Sequence, residues 1–480
     1  MKFAKRKAPQ DGVKNGARAK ALRAGGYSAL LVAVLVAIAV VLNLIVGALP
    51  AGWTQFDLTA TGLYSLSDQT KTLVGGLESD VDIYLLARRG QEDERLVKLL
   101  DQYAALSSHL KVHTKDPVVY PNFAAQYTDE TVQENSLLVL SGDRSRYVSY
   151  YDIYEMSYNS DYSVNTEFAG EGGLTSAIGY VTSEDLPVVY PLTGHGETDL
   201  PAALSTALAG QNIELGAALN LVSADGVPAD AAAVLVVAPQ SDLTANDAEK
   251  LQAYLDGGGK LLLFTDDTGA AMPNLESVTA GFGLKAVQGL VCDPDQQHNV
   301  GYPHYLLPEL SAHAITAPLK NGGYYVLAPL SHGIDTAGAE ELTDVTVTPL
   351  LTTSASAYNK ADGFASQTVE QEDGDAVGAY TLAAAAEKGA AKLVWVGGTS
   401  LFDSQIDAMV SGANTDFFLN AVGWACEQEQ TVSIHAKSLD YDRLTIPTGT
   451  GNLLTLAVVG LIPLAFVTAG VLVWYRRRAR

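Results

Sequence analysis

KLLLFTDD, residues 260–267, is an unbroken apolar run that ends in a threonine and two aspartates. A strand with one wet face alternates apolar and polar residues; a continuous run needs cover on both faces. PVVYPLTG (187–194), AAVLVVAP (232–239) and AKLVWVGGTSLFD (391–403) share this pattern. Helical stretches lie between and after them: LPAALSTALAGQ at 200–211, LTANDAEKLQAYLDGGG at 243–259, and a helix through 416–427. In the second of these Thr244 is placed as N-cap, with Asp247 three residues on as an acidic capping-box partner and Gly257 to Gly259 as the stop. Buried strands separated by helices predict a parallel sheet covered on both faces.

Upstream the pattern changes. VDIYLLA (81–87) and LKVHTKDP (110–117) read as strands around an amphipathic helix with Leu96, Leu99, Leu100, Tyr103 and Leu106 on one stripe. SLLVLSGDRSRYVSYYDI (136–153) reads as a hairpin turning at Gly142-Asp143, and Ser67 is placed to cap a short helix. Between 300 and 390 the strand signal is weaker, and 362–378 reads as an exposed loop and hairpin. The expected architecture is a small α/β domain over 50–186, then a doubly wound, flavodoxin- or class I glutamine amidotransferase-like α/β domain over 187–445.

Both ends are apolar and rimmed with positive charge. Residues 27–49 and 453–475 carry no charged side chain. Either stretch, as a helix of ~1.5 Å per residue, would cross a hydrocarbon core of ~30 Å. Residues 1–26 hold eight Lys and Arg against Asp11, and Arg476, Arg477, Arg478 and Arg480 follow the second stretch. Reading basic flanks as cytoplasmic predicts a two-pass plasma-membrane protein. Its cytoplasmic tails would be 1–26 and 476–480, its transmembrane helices 27–49 and (with a linker) 446–475, and its extracytoplasmic part the middle of the chain. A cleaved signal peptide fits the first stretch poorly, because the apolar run is too long. The middle part holds 18 Lys and Arg against 53 Asp and Glu, a charge of −35 within the chain's net −24, which disfavours nucleic acid and anionic headgroups as partners. Cys292 and Cys426 are too few for a disulfide scaffold in a chain of 480 residues. They either pair or are buried as small hydrophobes.

Several segments, taken in order, resemble the GldG family of gliding-motility-associated ABC-transporter auxiliary proteins. They are FDLTATGLYSLSDQT (56–70), the Asp116-Pro117 pair, NTEFAGEGGLTSAI (165–178), VVYPLTGHGE (188–197), HAIT (313–316) and VWVGGTSLFD (394–403). The resemblance implies a non-catalytic subunit whose partners are an ABC ATPase, a multi-span permease and the membrane. It implies no cofactor and names no cargo.

Candidate ligand- or partner-binding residues are Gly194, His195, Gly196 and Glu197, with Glu171 and His313 from the other family-like segments. The Gly194–Glu197 turn follows a buried strand, where ligands bind in open α/β sheets, and its glycines permit close approach of another backbone. The plainer reading is that His195 and Glu197 satisfy neighbouring backbone groups and cap the next helix. Glu167 and Glu171 either orient two subdomains by accepting N–H bonds or are solvated. Catalysis has little support. The turn after KLLLF, Thr265 to Gly269, offers no Cys, and the chain contains no G-x-S-x-G. It also lacks the phosphate-binding G-x-x-x-x-G-K-[ST] loop, so ATP hydrolysis belongs to another subunit. Cys292, Asp293, Asp295, His298 and His304 match no tight metal-ligand spacing, and no metal is expected. The alternative function is a membrane-anchored enzyme or ligand-binding ectodomain acting on cell-envelope material.

Overall fold

The structure, a computed structural model, describes residues 34, 36–38, 40–41, 65–158, 164–183, 186–427, 434, 436–439 and 462–478. The chain divides into two compact units, Met1–Ser65 and Leu66–Arg480, and the large sheet with both of its cores belongs to the second.

The large sheet is mixed. Its parallel part runs Glu214–Leu215, Val188–Thr193, Ala231–Val237, Lys260–Phe264 and Ala391–Val396. Numbered along the chain, these strands stand in the order 2-1-3-4-5. In that order the switch point lies between Val188–Thr193 and Ala231–Val237, at their carboxyl ends. Both faces are covered, as the unbroken apolar runs require. Leu262 and Phe264 enter one core with Leu204, Leu208, Phe417 and Phe418. Leu261 and Leu263 enter the other with Leu251, Leu255, Leu275 and Val278. Each such side chain, fully buried, stabilises by about 1.5–3 kcal/mol. The helix Ala245–Asp256 has Thr244 as its N-cap, Asp247 N donating to Thr244 Oγ1, and Gly257 at its other end; of the expected capping box only this half forms, the Asp247 carboxylate instead meeting the Thr244 hydroxyl and His195.

Beyond Ala391–Val396 the sheet turns antiparallel, through Thr381–Lys388 to Gly333–Asp335 and Lys285–Val287, with Val345–Thr352 also on Thr381–Lys388. The expected all-parallel sheet is therefore only part of the observed one. Leu110–Lys115, Val81–Leu86, Ser136–Ser141 and Arg144–Val148 form a separate four-stranded sheet. The helix Glu94–Leu106 turns Leu96, Leu99, Leu100 and Tyr103 inward. A third sheet joins Tyr154–Tyr158, Val164–Phe168 and Lys437–Ser438.

The expectation of one transmembrane helix at each end is corrected. Among the described residues no helix is long and apolar enough to cross a membrane. The helix Ile462–Arg478 has 17 residues and takes in Arg476, Arg477 and Arg478. In 27–49 six residues are described, all helical; the rest of that stretch, and 453–461, lie outside the described residues. The two-pass plasma-membrane topology, with cytoplasmic termini and an extracytoplasmic middle, is not supported, and neither is the membrane as a partner.

Candidate functional site

The Gly194–Glu197 turn leaves Val188–Thr193 at the switch point. Gly194 and Gly196 adopt φ of +116° and +80°, a region closed to most side-chain-bearing residues. A Cβ on Gly196 would stand 2.9 Å from Gln240 Cβ. The two glycines curl the chain so that their backbone faces out while the His195 and Glu197 side chains point in. The His195 side chain is 4% exposed, that of Glu197 3% and that of Asp247 0%.

His195 Nδ1 lies 3.2 Å from Glu197 Oε1 and its Nε2 lies 3.1 Å from Asp247 Oδ2. Carboxylates only accept, so both contacts are hydrogen bonds together only when each ring nitrogen carries a proton. His195 N also donates to Glu197 Oε2, and Thr244 Oγ1 donates to Asp247 Oδ2. His195 O accepts from Gln240 N and Ser241 N. His195 thus ties the first parallel strand to the loop after the third through its carbonyl and to the start of the Ala245–Asp256 helix through its ring. Protein encloses its side chain, and both ring nitrogens are engaged.

Glu171 stands elsewhere, in the first turn of the helix Gly170–Thr182, and is 3% exposed. Its Oε1 accepts from Ser67 N at 2.6 Å and Thr70 Oγ1 at 2.9 Å, and its Oε2 from Lys437 Nζ at 2.7 Å. Burial raises its pKa, but the Lys437 ammonium and the Ser67 N–H outweigh that and hold it below the ordinary value. His313 is half-buried at a third place. Its Nδ1 accepts from Ile315 N, and its ring meets Trp424 edge-on at 5.1 Å. Trp424 O accepts from Lys392 Nζ, at the amino end of Ala391–Val396. His313 is therefore at the opposite end of the sheet from His195. Burial lowers its pKa. The fold does not gather Gly194–Glu197, Glu171 and His313 into one site.

Cys292, Asp293, Asp295, His298 and His304 do not converge on an ion. Among the described residues no group of three or more His, Cys, Asp or Glu is arranged to hold a metal. Asp293 instead accepts from Ser354 N and Ser354 Oγ, both at 2.8 Å. Cys292 and Cys426 are both free, and burial pushes each thiol up to about 12.

A second histidine carries no signal in the sequence. Thr265, in the turn that offers no cysteine, lies 2.8 Å through its hydroxyl from His332 Nε2. Trp395 Nε1 donates to the same hydroxyl at 2.7 Å, and His332 Nδ1 lies 2.8 Å from Gly333 O. Nothing in the sequence around His332 marks it; pairing of distant strands brings it there. Separately, a cleft of about 900 Å³ runs between the helices Gly170–Thr182 and Ala202–Gly210, with Gly172, Gly173 and Gly179 on one wall and Ala203 and Ala207 on the other.

The parallel strands thus stand in flavodoxin order, and the hydrogen-bonded Gly194–Glu197 turn leaves the first of them. Residues 186–422 match the family described as an ABC-type uncharacterized transport system, and residues 60–153 match a domain of unknown function, DUF7088. That match over 186–422 agrees with the GldG resemblance and points to a transport-associated role. No curated protein sequence matches. Similar solved structures include the mmIFT52 N-terminal domain (TM-score 0.37, 13% identity, 50% of this chain and 96% of that one). Another is the exo-beta-1,4-mannosidase Op5Man5 from Opitutaceae bacterium strain TAV5 (TM-score 0.26, 10% identity, 70% of this chain and 50% of that one).

Proposed function

We propose that the chain is a non-catalytic auxiliary subunit of an ABC-type transport complex, binding the ATPase and the multi-span permease and acting on substrate capture or gating through contacts rather than chemistry. The observation that carries this reading is the family match over 186–422. Two features support it. The chain has no phosphate-binding loop of its own, and the most motif-like polar group, His195, is held between two carboxylates inside the protein.

Glu171 supplies a route from partner contact to conformation. It fastens the segment at Ser67, where the unit begins, and the distant segment at Lys437 to one helix. That helix also lines the large cleft through Gly172, Gly173, Ser176 and Gly179. A partner that moves either segment would move the cleft wall. The test is purification of the tagged full-length chain in mild detergent, with mass spectrometry of what accompanies it. Stoichiometric recovery of an ABC ATPase and a permease is expected. Recovery of the chain alone, under conditions that keep other ABC complexes intact, would sink the proposal. Glu171→Gln is expected to keep partner binding and to alter protease sensitivity around Ser67 and Lys437.

A further inference from the structure

The turn after Lys260–Phe264 opens into a cavity of about 50 Å³. One water needs ~10–15 Å³ on this measure, so the space takes roughly four such spheres. Its apolar wall includes Met272, Leu275 and Trp395, and its polar groups include Asp266, Asp267 and Glu276. No Lys or Arg lines it.

The carboxylates differ in what they already hold. Asp266 accepts from Thr399 N at 2.7 Å and Thr399 Oγ1 at 2.6 Å. Asp267 accepts from Gly269 N at 3.0 Å and Gly289 N at 3.1 Å. Both are fixed in place as acceptors with lone pairs to spare. Glu276, on the helix Pro273–Ala280, is half-buried and has no side-chain hydrogen bond or ion pair among the described residues. The buried base of the cavity adds no positive charge. His332 Nδ1 donates to Gly333 O, which leaves Nε2 to accept the Thr265 hydroxyl, and burial pushes the ring pKa down. The result is a small apolar pocket with acceptors at its edge and no cation.

We propose that this cavity binds a small protonated primary amine, with its short alkyl tail against Met272, Leu275 and Trp395 and its ammonium at the Glu276 and Asp267 carboxylates. Anions are repelled by the lining carboxylates, and a neutral molecule leaves the Glu276 carboxylate without a partner. An alkylammonium satisfies both halves of the site, and a tail of about four carbons fits the volume. The inference does not depend on the transport reading, since it concerns only what the pocket recognises.

The test uses the purified full-length chain and n-butylammonium chloride, with potassium butyrate and n-butanol as matched probes at equal ionic strength, followed by thermal melting and calorimetry. A saturable rise in Tm with butylammonium alone is expected. Glu276→Gln should weaken binding about tenfold, the scale of one charge-assisted hydrogen bond. Ala270 is exposed at the cavity lining, so Ala270→Phe should block the mouth and abolish the shift while the unliganded Tm stays put. The proposal is overturned by an absent or unsaturable response to butylammonium, by an equal response to butyrate or butanol, or by Glu276→Gln binding as well as the parent protein.

Discussion

Two turns leave the carboxyl ends of parallel strands in this sheet, and a buried histidine stands at each in a different setting: His195 belongs to the first turn, and His332 reaches the second from the segment before Gly333–Asp335. After Val188–Thr193, His195 is clasped by Glu197 and Asp247, both ring nitrogens facing carboxylates. After Lys260–Phe264, His332 meets a hydroxyl and a backbone carbonyl, and the carboxylates nearby face a cavity instead. Both histidines are 3% exposed. Depth therefore does not separate them; the charge of their partners does. Carboxylates brought onto a ring consume it as a structural tie, while neutral partners leave the local carboxylates for something from outside. The more conspicuous motif belongs to the first turn, and the more open chemistry to the second.

The contrast between the turns can be broken most directly at His195. His195→Ala would strand Glu197 and Asp247, each almost wholly buried. Loss of one member of such a group costs about 3–5 kcal/mol. Denaturant unfolding should show a loss of that size, and a near-neutral result would mean that the turn is not a structural tie. Thr265→Val comes next. It leaves Trp395 Nε1–H and His332 Nε2 without their partner, for about 1–3 kcal/mol, with a clear reduction in unfolding midpoint. If the two variants cost the same, the distinction between charged and neutral partners fails. Gly196→Ala is expected to cost about 1–2 kcal/mol, because φ is +80° and the new methyl meets Gln240. A stabilising effect there would mean that the turn is not held in the form described.

What could be read from sequence follows the same division. The strands Val188–Thr193, Ala231–Val237, Lys260–Phe264 and Ala391–Val396 are legible because burial on both faces leaves an unbroken apolar run. Thr381–Lys388 is not. Its run Ala383–Ala386 has better helix than strand propensity, and only pairing with Val345–Thr352 and Ala391–Val396 makes it a strand. Gly194 to Glu197 is visible as a local motif, but the third member of its cluster, Asp247, reads in sequence only as the N3 partner of the Thr244 cap, to whose hydroxyl its backbone N–H donates. Thr265, His332 and Trp395 share no local pattern, being brought together by the sheet across sequence separations of 67 and 130 residues. The apolar ends are where the reading by hydropathy is corrected, since among the described residues no helix is long and apolar enough to cross a membrane.

The gentlest discrimination between the two turns is by pH. His332 is held below the ordinary histidine value of 6.5 chiefly by desolvation. The unfolded chain then binds a proton near pH 6.5 that the folded chain refuses. Stability from this group is complete above pH 6.5 and declines as pH falls from there towards the depressed folded value. His304 and His313 are lowered by burial too, so the parent protein sums all three. The informative quantity is the difference between the parent and His332→Gln, measured as unfolding free energy from pH 7.5 to pH 5. The variant should start less stable, because Gln replaces the ring against Thr265, and should lose less on acidification. Glu171 acts in a separate window. Its folded pKa lies below the ordinary 4.5, so its contribution persists through that range and is lost only at more acidic pH. Parallel pH profiles for parent and His332→Gln would mean that His332 is not kept neutral by its surroundings, and the contrast between the two turns would then rest on geometry alone.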